Sequence, residues 1–322
     1  MAMSSEWHIR QARETDIDDI VGFTSDTWGE KEGDYMPERI AEWVRTDGPN
    51  QRTFVAEIDD TAVGVCQAAI LSDWEAWAQG MRVAPAHRGR GIGSDLLTSL
   101  LQWAHEQGAV VARNMVFSWN VMGLGQSRAH GFEPCTEFRF AMPDPVGDAA
   151  ADSTAGADPS RPVATRGSDT VDAAWALWAA SSTQTHLEGL VLDDRESWAL
   201  SKLTRSRLQT AADDGRLITV TDGDLVGFTW RLWVKDIDSD EPGSQRRAVY
   251  PVAVWESPAA AAALFDAVAR DAAAAGANET HVLIPETVAA VSDVATARVP
   301  VSDEPEFALR AELTDPAVRD AE

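Results

Sequence analysis

A run of glycines and arginines at Arg88–Gly93 has the composition of a phosphate-binding loop. It separates a predicted strand from the clearest helical pattern in the chain, which begins at Ile92. Backbone N–H groups at a helix N-terminus lack partners, and with the helix dipole they bind a pyrophosphate. Glycines allow positive φ angles and close approach of phosphate oxygens, and arginines add charged donors. The candidate phosphate ligands are Arg88, Gly89, Arg90, Gly91, Ile92 and Gly93.

Other phosphate-binding loops fit this stretch less well. The glycines do not follow the G-x-G-x-x-G spacing, and no acidic residue ends a strand where a dinucleotide ribose would need it. The G-K-[ST] sequence is absent, which argues against a nucleoside triphosphatase. The alternative without a ligand is that the glycines only form a tight turn.

The stretch resembles motif A of the Gcn5-related N-acetyltransferases (the GNAT superfamily). That motif reads R-x-x-G-x-G after V-x-P, and its residues here are Val83, Pro85, Arg88, Gly91 and Gly93. The resemblance covers about residues 7 to 142 and implies acetyl-CoA as co-substrate. It implies that the loop holds the CoA pyrophosphate. It also implies that the pantetheine arm bonds to backbone groups near Met81 and Val83, on a strand that splays from its neighbour.

A second motif agrees in part with this family. The spacing from Asn120 to Gly131-Phe132 matches the family's N-x(10)-G-F pattern, which implies that Asn120 touches the pantetheine. Members often carry a tyrosine seven residues after the asparagine, as the acid that protonates the leaving thiolate. Here that position is Ser127, a much weaker acid, which would at most hydrogen-bond the thiolate or hold a water molecule.

The reaction implied by the resemblance is direct attack of a neutral primary amine on the acetyl-CoA thioester. Glu75 is the candidate base, because it shares side-chain parity with Val83 if no bulge intervenes. It lies two residues before the position that the family's glutamate usually takes, which is Trp77 here. A chain of water molecules with a backbone acceptor is the alternative base.

Aromatic residues near the first two predicted helices are candidates for binding the amine. Trp28, Tyr35 and Trp77, with nearby carboxylates, would attract an ammonium group, or they are simply core residues and solvated acids. The segments 33–37 and 80–85 resemble the branch containing the vertebrate histidine N-acetyltransferase-like proteins. This resemblance implies a free amino acid or similar small amine as acceptor. Arg82 would then pair a substrate carboxylate or lie on the opposite sheet face.

The composition excludes several classes of partner. Among 322 residues, 52 are acidic and 27 are basic, giving a net charge of -25. This charge argues against binding nucleic acid or an anionic membrane. Basic residues are almost all arginines, and the uniform acidity is typical of a halophilic cytoplasm. We expect a cytoplasmic protein, with no spanning helix or signal peptide. Cys66 and Cys135 form neither a disulfide scaffold nor a metal site, so no metal is expected.

The pattern of elements predicts a mixed α/β fold, with a mostly antiparallel sheet flanked by helices. The domain prediction is a catalytic GNAT domain at 1–145, a Pro/Ala/Asp-rich linker at 146–162 and a degenerate GNAT-like copy at 163–322. Two unrelated α/β domains are the alternative. In the first half, we predict helices at 16–26, 37–45, 92–107 and 121–130, and strands at 53–58, 62–71, 74–83, 110–118 and 136–142.

The second half repeats this order more weakly. The prediction is a helix at 169–181, strands at 216–220, 225–234, 250–255 and 281–284, and a helix from the capping Ser257 to about Ala275. The place of the phosphate loop is taken by Val254–Ala260, which has no glycine or arginine and carries Glu256. We therefore expect this copy not to bind CoA and to serve a structural role. The oligomeric state is left open.

Three functions are compatible with these patterns. The leading hypothesis is an acetyl-CoA-dependent N-acetyltransferase acting on the primary amine of a small molecule. The second is an acyl-CoA-binding sensor or regulatory module without turnover, suggested by Ser127 and the uncertain base. The third is acetylation of protein N-termini or lysines, which would need an open peptide groove.

Overall fold

The protein is described by a computed structural model, which covers residues 7–25, 27, 34–147, 162–165, 170–237 and 245–319. Trp28 and most of the predicted linker, 148–161, lie outside these described residues. The chain divides into two compact units. Unit 1 consists of Met1–Pro134 with Ala308–Glu322, and unit 2 consists of Cys135–Phe307.

Unit 1 contains a six-stranded sheet. Its elements are β1 (His8–Gln11), α1 (Ile17–Thr24), α2 (Met36–Thr46), β2 (Gln51–Ile58), β3 (Thr61–Ile70), β4 (Glu75–Val83), α3 (Ile92–Glu106), β5 (Val111–Phe117), α4 (Val121–Ala129), β16 (Glu306–Glu312, from Ala308 on) and α10 (Pro316–Arg319). Short 3-10 helices span Glu14–Asp16 and Pro85–His87. The strand order is β1-β2-β3-β4-β5-β16, antiparallel from β1 to β4. The mixed, mostly antiparallel α/β fold predicted from the sequence is confirmed.

The β2–β3 hairpin turns at two acidic residues, as the sequence predicts. Asp59 and Asp60 both have positive φ angles, of 48° and 63°. Two successive residues with positive φ form the kind of tight turn whose twist matches that of the flanking strands. The turn sets the pairs next to it, and the register of β2 against β3 then shifts once, between Ala56 and Glu57.

The two faces of this sheet carry different helices. Val55 and Val65 pack in a buried cluster with α1 and α2, which contribute residues such as Ile20 and Ile40. The opposite face carries α3, because the Sγ of Cys66 lies 3.6 Å from the carbonyl oxygen of Leu96. Successive residues along a strand therefore point in turn to the face with α1 and α2 and to the face with α3.

A bulge in β4 changes this alternation. Val65 pairs with Arg82 and Gln67 pairs with Gln79, so β4 has one extra residue between these two pairs. Gly80 lies in the bulge with a φ of 67°, and a Cβ there would lie 2.6 Å from the Trp43 ring. Only glycine fits both conditions. The bulge intervenes between Glu75 and Val83, so the condition under which they would share a face is not met.

Unit 2 is built from three smaller sheets. Its elements are β6 (Glu133–Ala141, from Cys135 on), β7 (Val163–Thr165), α5 (Val171–Ala180), α6 (Ser182–His186), β8 (Leu190–Leu192), β9 (Leu200–Lys202), α7 (Arg205–Asp213), β10 (Leu217–Asp222), β11 (Asp224–Trp230), β12 (Trp233–Ile237), β13 (Gln245–Tyr250), β14 (Val254–Trp255), α8 (Pro258–Ala274), β15 (Glu279–Pro285) and α9 (Val288–Thr296). The strand orders are β6-β15-β13-β12, β14-β11-β10-β7 and β8-β9. β13 and β15 are parallel.

Two strands predicted in the second half are each divided in the structure. The predicted strand 225–234 forms β11 and β12, and the predicted strand 250–255 contributes to β13 and β14. In both cases the two pieces belong to different sheets, which an alternating sequence pattern does not reveal. The helix cap was predicted correctly, since the Ser257 Oγ accepts a hydrogen bond from the Ala260 N–H at 3.2 Å.

The compact units do not coincide with the predicted halves of the chain. Strand β6, which ends the predicted first domain, pairs with β15 in unit 2. The last strand of the chain, β16, lies beside β5 in unit 1. Sequence patterns identify a strand but not its partner, and this is why the predicted limits at residues 145 and 163 differ from the limits of the units. Across the described ranges, no helix has both the length and the apolar character needed to cross a bilayer.

Candidate active site

The central feature of unit 1 is an opening between strands β4 and β5. These parallel strands pair only at Glu75–Trp77 with Val111–Arg113. Beyond these residues, the described parts of β4 and β5 form no further pairs with each other. Two parallel strands that separate leave backbone groups of both edges available to a ligand. The splay that the family resemblance implied is therefore present.

The phosphate loop follows β4 and leads directly into α3. Helix α3 begins at Ile92, and its N-cap is Gly91 with a φ of 99° and no side-chain cap. Gly89 also has a positive φ, of 74°. The first-turn N–H groups of a helix without a capping side chain are open to an anion. The loop has the conformation expected of a pyrophosphate site.

The third glycine of the motif has a different role. Gly93 has an ordinary helical position, but a Cβ there would lie 2.5 Å from the Nε2 of Gln126. Gln126 belongs to α4, so Gly93 allows α4 to lie close to the start of α3. A larger residue would displace the end of the Gln126 side chain.

The two arginines of the loop already make contacts within the protein. The Nε of Arg88 donates to the carbonyl oxygen of Val83 at 2.9 Å. Arg90 lies 3.1 Å from the Nδ1 of His87 and 5.6 Å from the ring centre of Trp7. Both arginines are exposed, and each guanidinium group has five N–H donors. The loop thus fits a pyrophosphate in backbone conformation and in charge.

Backbone carbonyls near Met81 and Val83, predicted to bind pantetheine, are partly engaged. The Val83 carbonyl accepts from Arg88, and the Met81 carbonyl accepts from Arg82 at 3.1 Å. Both residues remain half-buried on the part of β4 that no longer pairs with β5.

The side chain of Asn120 caps α4. Its Oδ1 accepts from the Gly123 N–H at 2.9 Å, which satisfies one N–H group of the first helical turn. Asn120 is half-buried. Its predicted contact with pantetheine remains a prediction.

Ser127 is paired with a residue that sequence reasoning missed. The Nδ2 of Asn114 donates to the Ser127 Oγ at 2.9 Å, and Ser127 is 5% exposed. Asn114 is the first residue of β5 beyond the segment paired with β4. Its Oδ1 is buried and has no hydrogen-bond partner in the described structure. Because Ser127 accepts from Asn114, its own O–H remains available as a donor.

Glu75 lies at the closed end of the opening, in a buried ion pair. Its Oε1 accepts from Arg113 at 2.7 Å and its Oε2 from the Ser72 Oγ at 3.0 Å. The side chains of Glu75 and Arg113 are 3% and 4% exposed. Both carboxylate oxygens of Glu75 accept hydrogen bonds, and the ion pair with Arg113 joins β4 to β5. These contacts compete with a role of Glu75 as base.

The predicted acceptor residues differ in exposure. Trp77 is buried, at 2% exposure, which favours the core interpretation for this residue. Tyr35 is 41% exposed and lies 5.5 Å below the guanidinium of Arg82. Arg82 is on the α2 face and donates to Asp34 at 2.8 Å, so a carboxylate of the protein balances its charge. Trp28 lies outside the described residues.

Comparison with known proteins gives the family of this segment. Residues 17–121 match the model of the Acetyltransferase (GNAT) family. These residues belong to a GNAT-family domain. We refer to unit 1, which contains the matched residues, as the GNAT domain.

Curated relatives match a short part of the chain. Histidine N-acetyltransferases of Oreochromis niloticus and Scomber australasicus are 30% and 29% identical to it over 87 residues. This segment is 27% of the chain and spans only 25% of the length of each relative.

Solved structures show that the fold similarity extends beyond this segment. A GCN5-related N-acetyltransferase from Sphaerobacter thermophilus has a TM-score of 0.60 at 15% identity and covers 97% of both chains. A GCN5-related glucosamine N-acetyltransferase region of a fungal multi-domain GH3 β-N-acetylglucosaminidase also has a TM-score of 0.60, at 14% identity. That match covers 96% of this chain and 38% of the fungal one.

Within the GNAT domain, the residues that sequence reasoning missed share one property. Asn114, Arg113 and Gln79 are polar residues in strands that otherwise read as apolar. Such a residue in a buried strand is a signal, because it needs a hydrogen-bonding partner. The partner itself depends on strand register, which the sequence does not give.

Proposed function

We propose that the protein is an acetyl-CoA-dependent N-acetyltransferase with one active site, in the GNAT domain, and that it acetylates the primary amine of a small molecule. The observation that carries this proposal is the opening between β4 and β5 directly before the phosphate loop. A strand pair that separates beside an uncapped helix N-terminus accommodates an extended chain that ends in a pyrophosphate. Acetyl-CoA has this shape, and it supplies an activated acetyl thioester.

The residues of this site have complementary tasks in the proposal. The N–H groups at the start of α3 bind the pyrophosphate, and Arg88 and Arg90 add charge. Ser127 donates its O–H to the departing thiolate, and Asn114 fixes the hydroxyl by donating to its oxygen. A hydrogen bond of this kind stabilises developing charge without proton transfer.

The proton of the attacking ammonium goes to water in this proposal. Glu75 would have to give up hydrogen bonds from Arg113 and Ser72 to act as base. Breaking a buried ion pair costs about 3 kcal/mol or more. The role that fits Glu75 is to hold the closed end of the opening, and a chain of water molecules is the better candidate for the base.

For the acceptor, we propose a free amino acid. The matched relatives are named histidine N-acetyltransferases, and L-histidine is therefore the first acceptor to test. Peptide N-termini and lysine side chains are the competing acceptors.

For unit 2, we propose a degenerate GNAT-like copy that does not bind CoA. Its β13, α8 and β15 repeat the order of strand, helix and parallel strand. The Ser257 hydroxyl already accepts an N–H group from the first turn of α8, and Glu256 would repel a phosphate.

The test is release of CoA thiol from acetyl-CoA in concentrated KCl, with free amino acids, polyamines and peptides as acceptors. High KCl screens the acidic surface of a protein with a net charge of -25. We expect release that depends on a free amino acid and is lost in the Arg88→Ala, Gly91→Glu double variant. Gly215→Glu is the matched control, because Gly215 also has a positive φ, of 67°, but lies in unit 2 with open space around it.

Three other outcomes would contradict the proposal in different ways. Binding of acetyl-CoA without release for any acceptor would favour a sensor, which the engaged carboxylate of Glu75 also allows. Release stimulated only by peptides would favour a protein acetyltransferase. Absence of acetyl-CoA binding would show that the loop at Arg88–Gly93 has no phosphate-binding role.

A further inference from the structure

Four polar side chains form a row across the GNAT domain sheet. Gln79 on β4 donates from Nε2 to the Oε1 of Gln67 on β3 at 2.8 Å. Gln67 donates from Nε2 to the Oγ1 of Thr53 on β2 at 3.1 Å. Thr53 donates to the Oδ1 of Asp47 at 3.0 Å. Gln79, Gln67 and Thr53 are direct neighbours in strand register, so they lie on one face of the sheet. We call this set the polar row.

The middle of the polar row is sealed from solvent. Thr53 and Gln67 are both 0% exposed, so their polar groups depend on each other for hydrogen bonds. Asp47 is half-buried and accepts further hydrogen bonds, from the Thr53 backbone N–H at 2.9 Å and from the Nε2 of Gln11 at 3.0 Å. Gln79 is half-buried at the other end.

The carboxylate of Asp47 sets the direction of every hydrogen bond in the polar row. An ionised carboxylate only accepts, so the Thr53 hydroxyl must donate to it. The Thr53 oxygen then accepts from the amide nitrogen of Gln67, which leaves the Gln67 oxygen to accept from the amide nitrogen of Gln79. With its nitrogen committed in this way, Gln79 retains its Oε1, an acceptor without a partner in the described structure.

The position of Gln79 makes this oxygen relevant to the reaction. It lies in the part of β4 that no longer pairs with β5, two residues after Trp77 and directly before the bulge at Gly80. Its side chain is on the face that carries α1 and α2, which is also the face of Arg82. A carbonyl-type oxygen there can accept a hydrogen bond from an amine that approaches the opening.

We propose that Gln79 is a substrate-binding residue whose Oε1 accepts a hydrogen bond from the acceptor amine, and that Asp47, Thr53 and Gln67 are positioning residues that keep this oxygen turned toward the substrate. This inference rests on the proposed function and names a residue that recognises the amine. A neutral primary amine has two N–H groups and one lone pair. Holding one N–H group on an oxygen directs the lone pair away from it.

The amide of Gln79 does not remove the proton in this scheme. The amine nitrogen forms a bond to the acetyl carbon, the bond between that carbon and the CoA sulfur breaks, and the displaced proton passes to water. Gln79 selects a donor N–H group, so it discriminates between an amine and a group that has no hydrogen to donate.

The first experiment separates the amine contact from the other contacts of the acceptor. L-histidine and 3-(imidazol-4-yl)propionate, which lacks the amine, are titrated into the protein saturated with CoA. In Gln79→Met we expect binding of L-histidine to weaken about tenfold, since one hydrogen bond is lost, and binding of the deaminated analogue to be unchanged. Equal weakening of both ligands, or of neither, overturns the contact.

The second experiment tests the positioning residues by a matched pair. Thr53→Val removes the hydroxyl with almost no change in volume, and Thr53→Ser keeps it. We expect KM for L-histidine to rise about fivefold in Thr53→Val and to return to within twofold of wild type in Thr53→Ser, with kcat and the Kd of acetyl-CoA unchanged in both. An unchanged KM in folded Thr53→Val overturns the positioning role.

The third experiment tests the direction of the polar row without any substrate. Gln79→Glu places an acceptor at each end of the row, and we expect it to lower Tm by about 4 °C. Adding Asp47→Asn lets every hydrogen bond reverse, so the double variant should have a higher Tm than Gln79→Glu alone. Strictly additive losses overturn the directed row.

These results separate failure of the inference from failure of the proposed function. If the wild-type protein acetylates L-histidine but Gln79→Met binds it normally, only the inference fails. If the wild-type protein acetylates no amine, the proposed function and the amine contact both fail, while the Tm cycle still decides the direction of the polar row.

Discussion

At the scale of single residues, the pair formed by Asn114 and Ser127 links strand β5 to helix α4 at the opening. Asn114 donates to Ser127 at 2.9 Å, and its own Oδ1 is buried without a partner. A buried oxygen without a donor costs free energy unless something binds to it. The opening therefore has an unused acceptor next to the hydroxyl that we assign to the thiolate.

For this pair, we expect Ser127→Ala and Asn114→Leu each to lower kcat about tenfold. Ser127→Ala removes the hydroxyl, and Asn114→Leu removes the N–H group that orients it. The Kd of acetyl-CoA should change little. The double variant should be no slower than either single variant, since both changes remove one contact. Steady-state kinetics with a double-mutant cycle measures this, and Gly125→Ala, at a glycine of α4 with open space around it, is the control. Multiplicative losses would show that the two residues act separately.

Another residue-scale feature is the cluster of Arg10, Asp16 and Glu57. Arg10 donates to the Asp16 carboxylate at 2.7 and 2.8 Å and to Glu57 at 2.6 Å. The Arg10 guanidinium lowers the pKa of Glu57 against the opposing effect of burial. Burial alone would raise the pKa of Asp16, but hydrogen bonds from Arg10 and from the Arg13 backbone outweigh it and lower that pKa.

These lowered pKa values make stability depend on pH. A carboxyl group whose pKa is lower in the folded state stabilises the fold above its unfolded pKa, near 4, and this contribution is lost as the pH falls through the folded pKa. We expect the wild-type Tm to fall below about pH 4. Arg10→Met should lose about 3 kcal/mol at pH 7 and show a weaker fall in acid. Thermal unfolding from pH 2 to pH 7 measures both, and parallel curves would contradict this role of Arg10.

At the scale of elements, the bulge in β4 determines which of its side chains lie on the face that carries α1 and α2. Without the extra residue at Gly80, Arg82 would lie on the α3 face and Val83 on the α2 face. The bulge keeps Gln79 and Arg82 together on this face, although they are three positions apart.

The tight fit at Gly80 predicts a large cost for a methyl group. Gly80→Ala combines a positive φ of 67° with a Cβ 2.6 Å from Trp43, so we expect a loss of about 3 kcal/mol. Gly89→Ala has a similar φ, of 74°, but open space, and should lose only about 1 kcal/mol. Urea denaturation of the two variants measures the difference. Equal losses would mean that backbone strain alone, and not contact with Trp43, requires glycine at position 80.

The elements also show what a sequence can reveal. Helix α3 was predicted at 92–107 and observed at Ile92–Glu106, because its apolar spacing and its bounding glycines are local signals. The loop before it was found for the same reason. The bulge was missed because a single glycine in a strand does not specify register. The polar row was missed with it, since its members are distant in sequence and meet only through that register.

At the scale of the whole molecule, the most important feature is the composition of unit 1. Its strand beside β5 is β16, from the last twentieth of the chain. Ala308, Leu309, Ala311 and Leu313 are all at most 3% exposed, and the Leu313 N–H donates to the Val110 carbonyl at 2.9 Å. The β5 edge of the sheet in unit 1 therefore depends on residues far from motif A in sequence.

We expect truncation after Phe307 to abolish cooperative unfolding of the GNAT domain and acetyl-CoA binding, because burial of β16 is lost along the β5 edge. Truncation after Asp315 keeps β16 and removes α10 with the three residues after it, so it is the matched control and should retain binding. Calorimetric unfolding and titration with acetyl-CoA measure both. Full acetyl-CoA affinity after truncation at Phe307 would show that unit 1 is complete without its C-terminal strand.

The position of β16 beside β5 has a consequence during protein synthesis. Motif A ends at Gly93, yet the strand beside β5 in this sheet, β16, is translated more than 200 residues later, at Glu306–Glu312. The nascent GNAT domain must therefore wait, with the edge of β5 unpaired, until Glu312 has emerged from the ribosome. An unpaired edge is a target for misassociation, so growing chains need either a chaperone or rapid elongation through the second half. Folding of the GNAT domain is thereby tied to translation of the chain as far as β16.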